Sequence, residues 1–179
     1  MCKTKNHNLL QRQVNPMNGI YHVNTRVEKL SNEHKIIIDY VAKFNKSYRE
    51  RDKEFFKGLA TFFDFLEKDL LAHFRYEEVV IFPASVMGES SYGNTLMVMS
   101  LQKEHGMMEN ELQYLINELK ALKASHEKLS NELIEKIKSF IDALKNHSKR
   151  EMTDLYPMLN ANTKSKALFD VYVKEMDTV

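Results

Sequence analysis

Residues 73–83 read "HFRYEEVVIFP", and residues 147–157 read "HSKREMTDLYP". In each stretch a histidine is followed four residues later by a glutamate, then by an aromatic residue and a proline at matching offsets. The first copy is His73, Glu77, Phe82, Pro83, and the second is His147, Glu151, Tyr156, Pro157. A histidine and a glutamate spaced i, i+4 project from one face of a helix. The dipeptide "EH" also occurs twice, as Glu33-His34 and Glu104-His105. The chain therefore reads as two helical hairpins of like pattern, each carrying one lone histidine and one His-x-x-x-Glu.

Apolar residues surround these motifs at helical spacing. A first stripe runs Val27, Leu30, His34, Ile37, Val41, Phe44, Tyr48, and a second runs Phe55, Leu59, Phe62, Leu66, Leu70, His73, Glu77, Val80. A third follows as Leu101, His105, Met108, Leu112, Leu115, Leu119, Leu122. The fourth is Leu133, Ile137, Phe140, Leu144, His147, Glu151, Leu155, Met158. "TRVE" before the first stripe reads as a capping box with Thr25 as N-cap. The polar run from Met87 to Thr95 is the clearest loop, and Ser125 could open the fourth helix. Four long amphipathic helices on short connections predict an all-α, up-and-down four-helix bundle over 25–158. Residues 1–24 are expected as an N-terminal arm. Residues 159–179 form a C-terminal extension, with a short helix over 164–176.

Composition agrees with long helices: only 5 glycines and 3 prolines interrupt 179 residues. A net charge of +1 gives no electrostatic reason to expect nucleic acid or an anionic membrane as partner. The single cysteine, Cys2, cannot form an internal disulfide, which fits a reducing cytoplasm. The first residues lack a long apolar core, so neither a signal peptide nor a membrane span is expected there.

In an antiparallel hairpin, residues equally far from the turn face each other. His34 and His73 have their midpoint beside the polar run "SYRERDKE", and His105 and His147 have theirs at His126. At about 1.5 Å per residue, each hairpin carries its ligands roughly 30 Å from its own turn. All four histidines then lie at one level. They occupy core positions, as do Glu77 and Glu151, and two buried carboxylates at one level repel unless neutralised. Cations resolve the conflict, because imidazoles and carboxylates become their ligands. A lone stripe histidine is more often a hydrogen-bonded core residue; six residues repeated at one level are what point to metal.

His34, His73-x-x-x-Glu77, His105 and His147-x-x-x-Glu151 resemble the hemerythrin-like family, the HHE cation-binding domain, over residues 25–158. The resemblance implies a four-helix bundle around a non-haem di-iron centre. Its two iron ions would be bridged by Glu77, Glu151 and an oxo or hydroxo group. Manganese or zinc suits the same donors, so iron rests on the resemblance. Ferritin-like proteins match less well, since their repeat is Glu-x-x-His. Oxygen-carrying members of the family supply a fifth histidine where this chain reads "HGMME", with Glu109 four residues after His105. Glu109 reads equally as a ligand or as a solvated partner for a lysine. Fewer histidines leave more open positions, which favours reaction with a small diatomic ligand or peroxide over reversible carriage alone.

The resemblance implies binding or sensing of oxygen, nitric oxide or iron. The alternatives are an enzyme acting on peroxide or nitric oxide, iron-centre repair, and a bundle that keeps its ligands incidentally. No protein partner is named by these residues. Tyr76 and Tyr156 are expected to pack beneath the site, and the ten methionines to fill core gaps. His7, His22 and His126 lie off the ligand level and read as surface residues.

Overall fold

The computed structural model describes residues 17–47, 53–125 and 129–176. Five helices run through them. α1 is Met17–Ser47, and α2 spans 53–88. α3 is Tyr92–Ser125, α4 spans 131–161, and α5 is Thr163–Met176. The first four form the up-and-down bundle, with α1 against α2 and α4, and α3 against α2 and α4. α5 lies across the last turns of α2 and also touches α1 and the end of α4. No helix among the described residues is long and apolar enough to cross a membrane.

The boundaries differ from the sequence reading in three places. α1 starts at Met17, directly after Pro16, so residues 17–24 are helical and Thr25 lies inside the helix. Extending a helix costs far less than nucleating one, so the capping box is overrun from upstream. α3 continues to Ser125, and Ser130 caps α4 instead, its Oγ accepting the Leu133 N–H at 3.1 Å. The loop between α2 and α3 shrinks to residues 89–91. Asn94 closes it: its Nδ2 donates to the carbonyls of Ser85 (3.0 Å) and Glu89 (2.6 Å). The turn around 48–52, His7 and His126 lie outside the described residues, as does the side chain of His22.

Neither α2 nor α4 is uniform. α2 contains π-turns at Leu66–Leu70 and Glu77–Ile81, and α4 contains one at Glu151–Leu155. In the repeated pair, the N–H of Phe82 bonds the Glu77 carbonyl and that of Tyr156 bonds the Glu151 carbonyl. The prolines explain them. Pro83 and Pro157 have no N–H to donate and their rings crowd the carbonyl four residues back, so the preceding turn widens. Each widened turn advances the helix phase by one residue. That is why Leu159 is fully buried and Met158, the stripe residue expected there, is only partly so.

The core consists of two apolar clusters. One, toward the α1–α2 and α3–α4 connections, includes Ile37, Leu66, Leu112, Leu115, Phe140 and Leu144. The other includes Leu30, Val80, Leu101, Leu155, Leu159 and, from α5, Phe169. The histidine and glutamate layer falls between them along every helix of the bundle. Among the described methionines the core-filling expectation holds for half: Met108 is buried and Met97, Met152 and Met158 pack against the second cluster, while Met87, Met99, Met107 and Met176 are exposed. Adjacent helical residues point in different directions, so only one of Met107 and Met108 can face inward.

Candidate metal centre

Six polar side chains meet in that layer, all of them 5% exposed or less: His34, His73, Glu77, His105, His147 and Glu151. α1 and α3 each contribute one histidine, while α2 and α4 each contribute a histidine and a glutamate one turn apart. His34 Nε2 lies 2.8 Å from His73 Nε2, and His105 Nε2 lies 2.9 Å from His147 Nε2. The glutamates stand between the two imidazole pairs. Glu77 reaches His73 at 3.4 Å with Oε1 and His105 at 3.5 Å with Oε2. Glu151 reaches His147 at 3.1 Å with Oε1 and His34 at 3.2 Å with Oε2.

These contacts sort into two groups of four that share both carboxylates. One is His34, His73, Glu77, Glu151, and the other is Glu77, His105, His147, Glu151; within each, the donor atoms lie within 4.8 Å of one another. Glu109 is exposed and belongs to neither group.

Further carboxylates stand behind the imidazoles. Glu33 lies 2.6 Å from His73 Nδ1, Glu104 lies 2.9 Å from His147 Nδ1, and Glu78 lies 3.1 Å from His105 Nδ1. Within each hairpin the link is crossed: the glutamate beside one helix's histidine supports the histidine of the next helix. A carboxylate that accepts a hydrogen bond from Nδ1–H leaves the Nε2 lone pair facing inward. Two such lone pairs less than 3 Å apart need a cation bound to both or a proton shared between them. Both oxygens of Glu151 and Oε2 of Glu77 have no hydrogen bond, and imidazole nitrogens stand 3.1 to 3.6 Å from them. Buried anions and inward lone pairs together fit a pair of cations, and the nitrogen and oxygen donor set suits iron, manganese or zinc.

Without cations, protons take their place. Burial by itself lowers the His73 pKa, but the Glu77 charge and the Glu33 hydrogen bond outweigh it and raise it from 6.5 to about 10. His147 is raised as well: burial opposes this, and Glu151 and Glu104 overcome it. Burial would push the Glu151 carboxyl up, yet His105, His147 and His34 hold it well below the ordinary range.

Aromatic rings line the layer. Phe74 stacks on His105 with centroids 3.9 Å apart, Phe82 stacks on it at 5.2 Å, and Tyr156 stacks on His34 at 5.6 Å. Tyr156 does more than pack, because its hydroxyl donates a short hydrogen bond to Glu77 Oε1. Burial, then the Glu77 charge, pushes its pKa well above the usual phenol value, so it keeps its proton. Tyr76 packs against the second apolar cluster, as expected of it. Two cavities reach the layer from outside. One of about 280 Å³ is lined by Lys29, Glu33, Asp69, His73, Tyr76 and Met176, and one of about 240 Å³ by Glu104, Glu111, Asn146, His147 and Arg150 among others.

The supporting glutamates were not identified from the sequence. Glu33, Glu78 and Glu104 occupy half-exposed positions off the apolar stripes, where acids are ordinarily solvated. Their signal was adjacency, since each directly precedes or follows a residue of the layer.

Among families of known proteins, the model described as the hemerythrin HHE cation-binding domain matches residues 25–159. No curated protein and no solved structure gives a match.

Proposed function

The chain belongs to the hemerythrin HHE cation-binding domain family, and from that premise we propose that it holds two iron ions and uses them to bind or sense oxygen, nitric oxide or iron. His34 and His73 would hold one ion, His105 and His147 the other, with Glu77 and Glu151 bridging. The observation that carries this reading is the sharing of both buried carboxylates between two groups of donors. Iron, when bound, supplies open coordination positions and a one-electron change. The chain supplies the rest. Glu33, Glu78 and Glu104 orient three of the imidazoles, the two apolar clusters exclude bulk water, and Tyr156 holds a proton at Glu77 Oε1.

As a sensor the protein needs a moving part. α5 is suited, since Met176 at its end lines the cavity that also exposes Glu33 and His73. A separate protein partner in the cytoplasm would read its position. A second reading is favoured by Tyr156: a buried proton donor on a ligand carboxylate suits an enzyme that turns over peroxide or nitric oxide.

Metal analysis of protein from its native host tests the first step, and fewer than one transition-metal ion per chain contradicts it. A stopped-flow trace with hydrogen peroxide separates the two readings. One spectral change that then stops supports the sensor, and sustained oxygen evolution supports the enzyme.

A further inference from the structure

The two halves of the layer follow one plan but differ in what stands behind their ligands. In the His105/His147 half, both Nδ1 atoms face a carboxylate, Glu78 at 3.1 Å and Glu104 at 2.9 Å. In the His34/His73 half, only His73 has one, Glu33 at 2.6 Å. His34 Nδ1 is buried without a hydrogen bond. The repeat shows why: Glu78 follows Glu77, whereas Met152 follows Glu151. The second copy carries a thioether at the position from which the first copy supports an imidazole.

The shared carboxylates are uneven in the same sense. Glu77 Oε1, the oxygen facing His73, accepts the Tyr156 hydroxyl, while Oε2, facing His105, has no hydrogen bond. The equivalent aromatic in the first copy is Phe82, which has no hydroxyl to donate.

We propose that the two halves are unequal cation sites: the His105/His147 half binds a divalent transition-metal ion tightly, and the His34/His73 half is labile, filling second and emptying first. An imidazole whose Nδ1–H is held by a carboxylate is a stronger donor and is fixed in the tautomer that offers Nε2. His34 lacks that support. A carboxylate oxygen that accepts a hydrogen bond from a phenol has less electron density to give a cation, which weakens the same half again. Basic side chains do not reverse the order. Lys29 lies 3.6 Å from Glu33 and Arg150 pairs with Glu104, so the two corresponding supports carry one cation each. Glu78 remains as the difference.

This inference rests on the two-ion reading above. Support by an outer carboxylate is worth on the order of ten- to hundred-fold in metal affinity, so two stepwise constants should separate by that much. The test is anaerobic titration with iron(II), followed by anomalous diffraction from crystals given one equivalent. The expected result is two resolved steps, with the first ion between His105 and His147. The M152E substitution, which restores the missing carboxylate, should tighten the second step by about tenfold and leave the first in place. A first ion between His34 and His73, or one divided evenly between the halves, overturns the inference and leaves the two-ion reading standing. So does a folded M152E chain whose steps are unchanged. Uptake of one ion or none at saturation overturns both. The unmutated chain supplies the deciding result, so the inference does not depend on the variant folding.

Discussion

His73 turns one nitrogen to Glu77 inside the layer and the other to Glu33 at its edge, and this arrangement sets its response to pH. Its folded pKa is raised to about 10 against 6.5 for an unperturbed imidazole. A raised value means that the stability this group gives the metal-free chain is complete below pH 6.5 and is lost as pH rises toward 10. The same proton competes with a cation, so metal uptake should strengthen over that interval. Calorimetry at pH 7 in buffers of different ionisation enthalpy should therefore show at least about one proton released per chain on loading. Uptake without proton release would contradict the assignment of His73 as a ligand.

The glutamates separate in the same way. Glu77→Ala or Glu151→Ala removes a carboxylate shared by both groups and should halve or abolish metal loading. Glu109→Ala alters an exposed side chain and should leave loading unchanged. Equal metal content in all three variants, measured after gel filtration, would refute the bridging role. At this scale the layer itself was readable, because side chains that meet inside a bundle must occupy stripe positions and buried acids there stand out. The Tyr156 hydrogen bond was not. An aromatic on a stripe reads as packing, and nothing local reveals which oxygen its hydroxyl will meet.

At the scale of the helix, the repeated proline has a consequence that simple periodicity misses. Pro83 and Pro157 widen the turns that begin at Glu77 and Glu151, so the residue five positions later returns above the glutamate. Phe82 and Tyr156 reach the imidazoles by this route. A stripe drawn with steps of three and four passes through Glu151 without registering the added residue, and so it ends on Met158 instead of Leu159. The π-turn at Leu66–Leu70 has no proline after it, and we have no physical account of it.

The glycines offer a test of how tightly α5 is held. A Cβ on Gly88 would lie 2.0 Å from Ser165 Oγ and 2.6 Å from its Cα, so α2 and α5 pack there backbone against backbone. Gly58 has open space around its Cβ position in the middle of a helix. Gly88→Ala should therefore destabilise the fold by about 1–3 kcal/mol through overpacking. Gly58→Ala should stabilise it by about 0.5–1 kcal/mol through helix propensity. Urea unfolding of both variants measures this, and a neutral Gly88→Ala would mean that α5 lifts away at little cost.

At the scale of the whole molecule, the layer is a polar section through an otherwise apolar bundle, with a hydrophobic cluster on either side. The bundle, its four stripes and the fifth helix were legible because their periods run over many turns. The precise ends were less so, since capping chemistry at Thr25 and Ser125 gave way to longer-range continuation of the helices. The second cluster is not legible from the four stripes alone. It draws Phe169 and Val173 from α5, whose docking depends on the close approach at Gly88 and is not visible in any single helix's pattern.

The proposed centre joins six side chains from four helices around two cations. Anomalous diffraction at the iron edge from fully loaded crystals tests it most directly. Two peaks per chain are expected, one beside His34 and His73 and one beside His105 and His147, with Glu77 and Glu151 contacting both. A single peak, or peaks outside this layer, would contradict it.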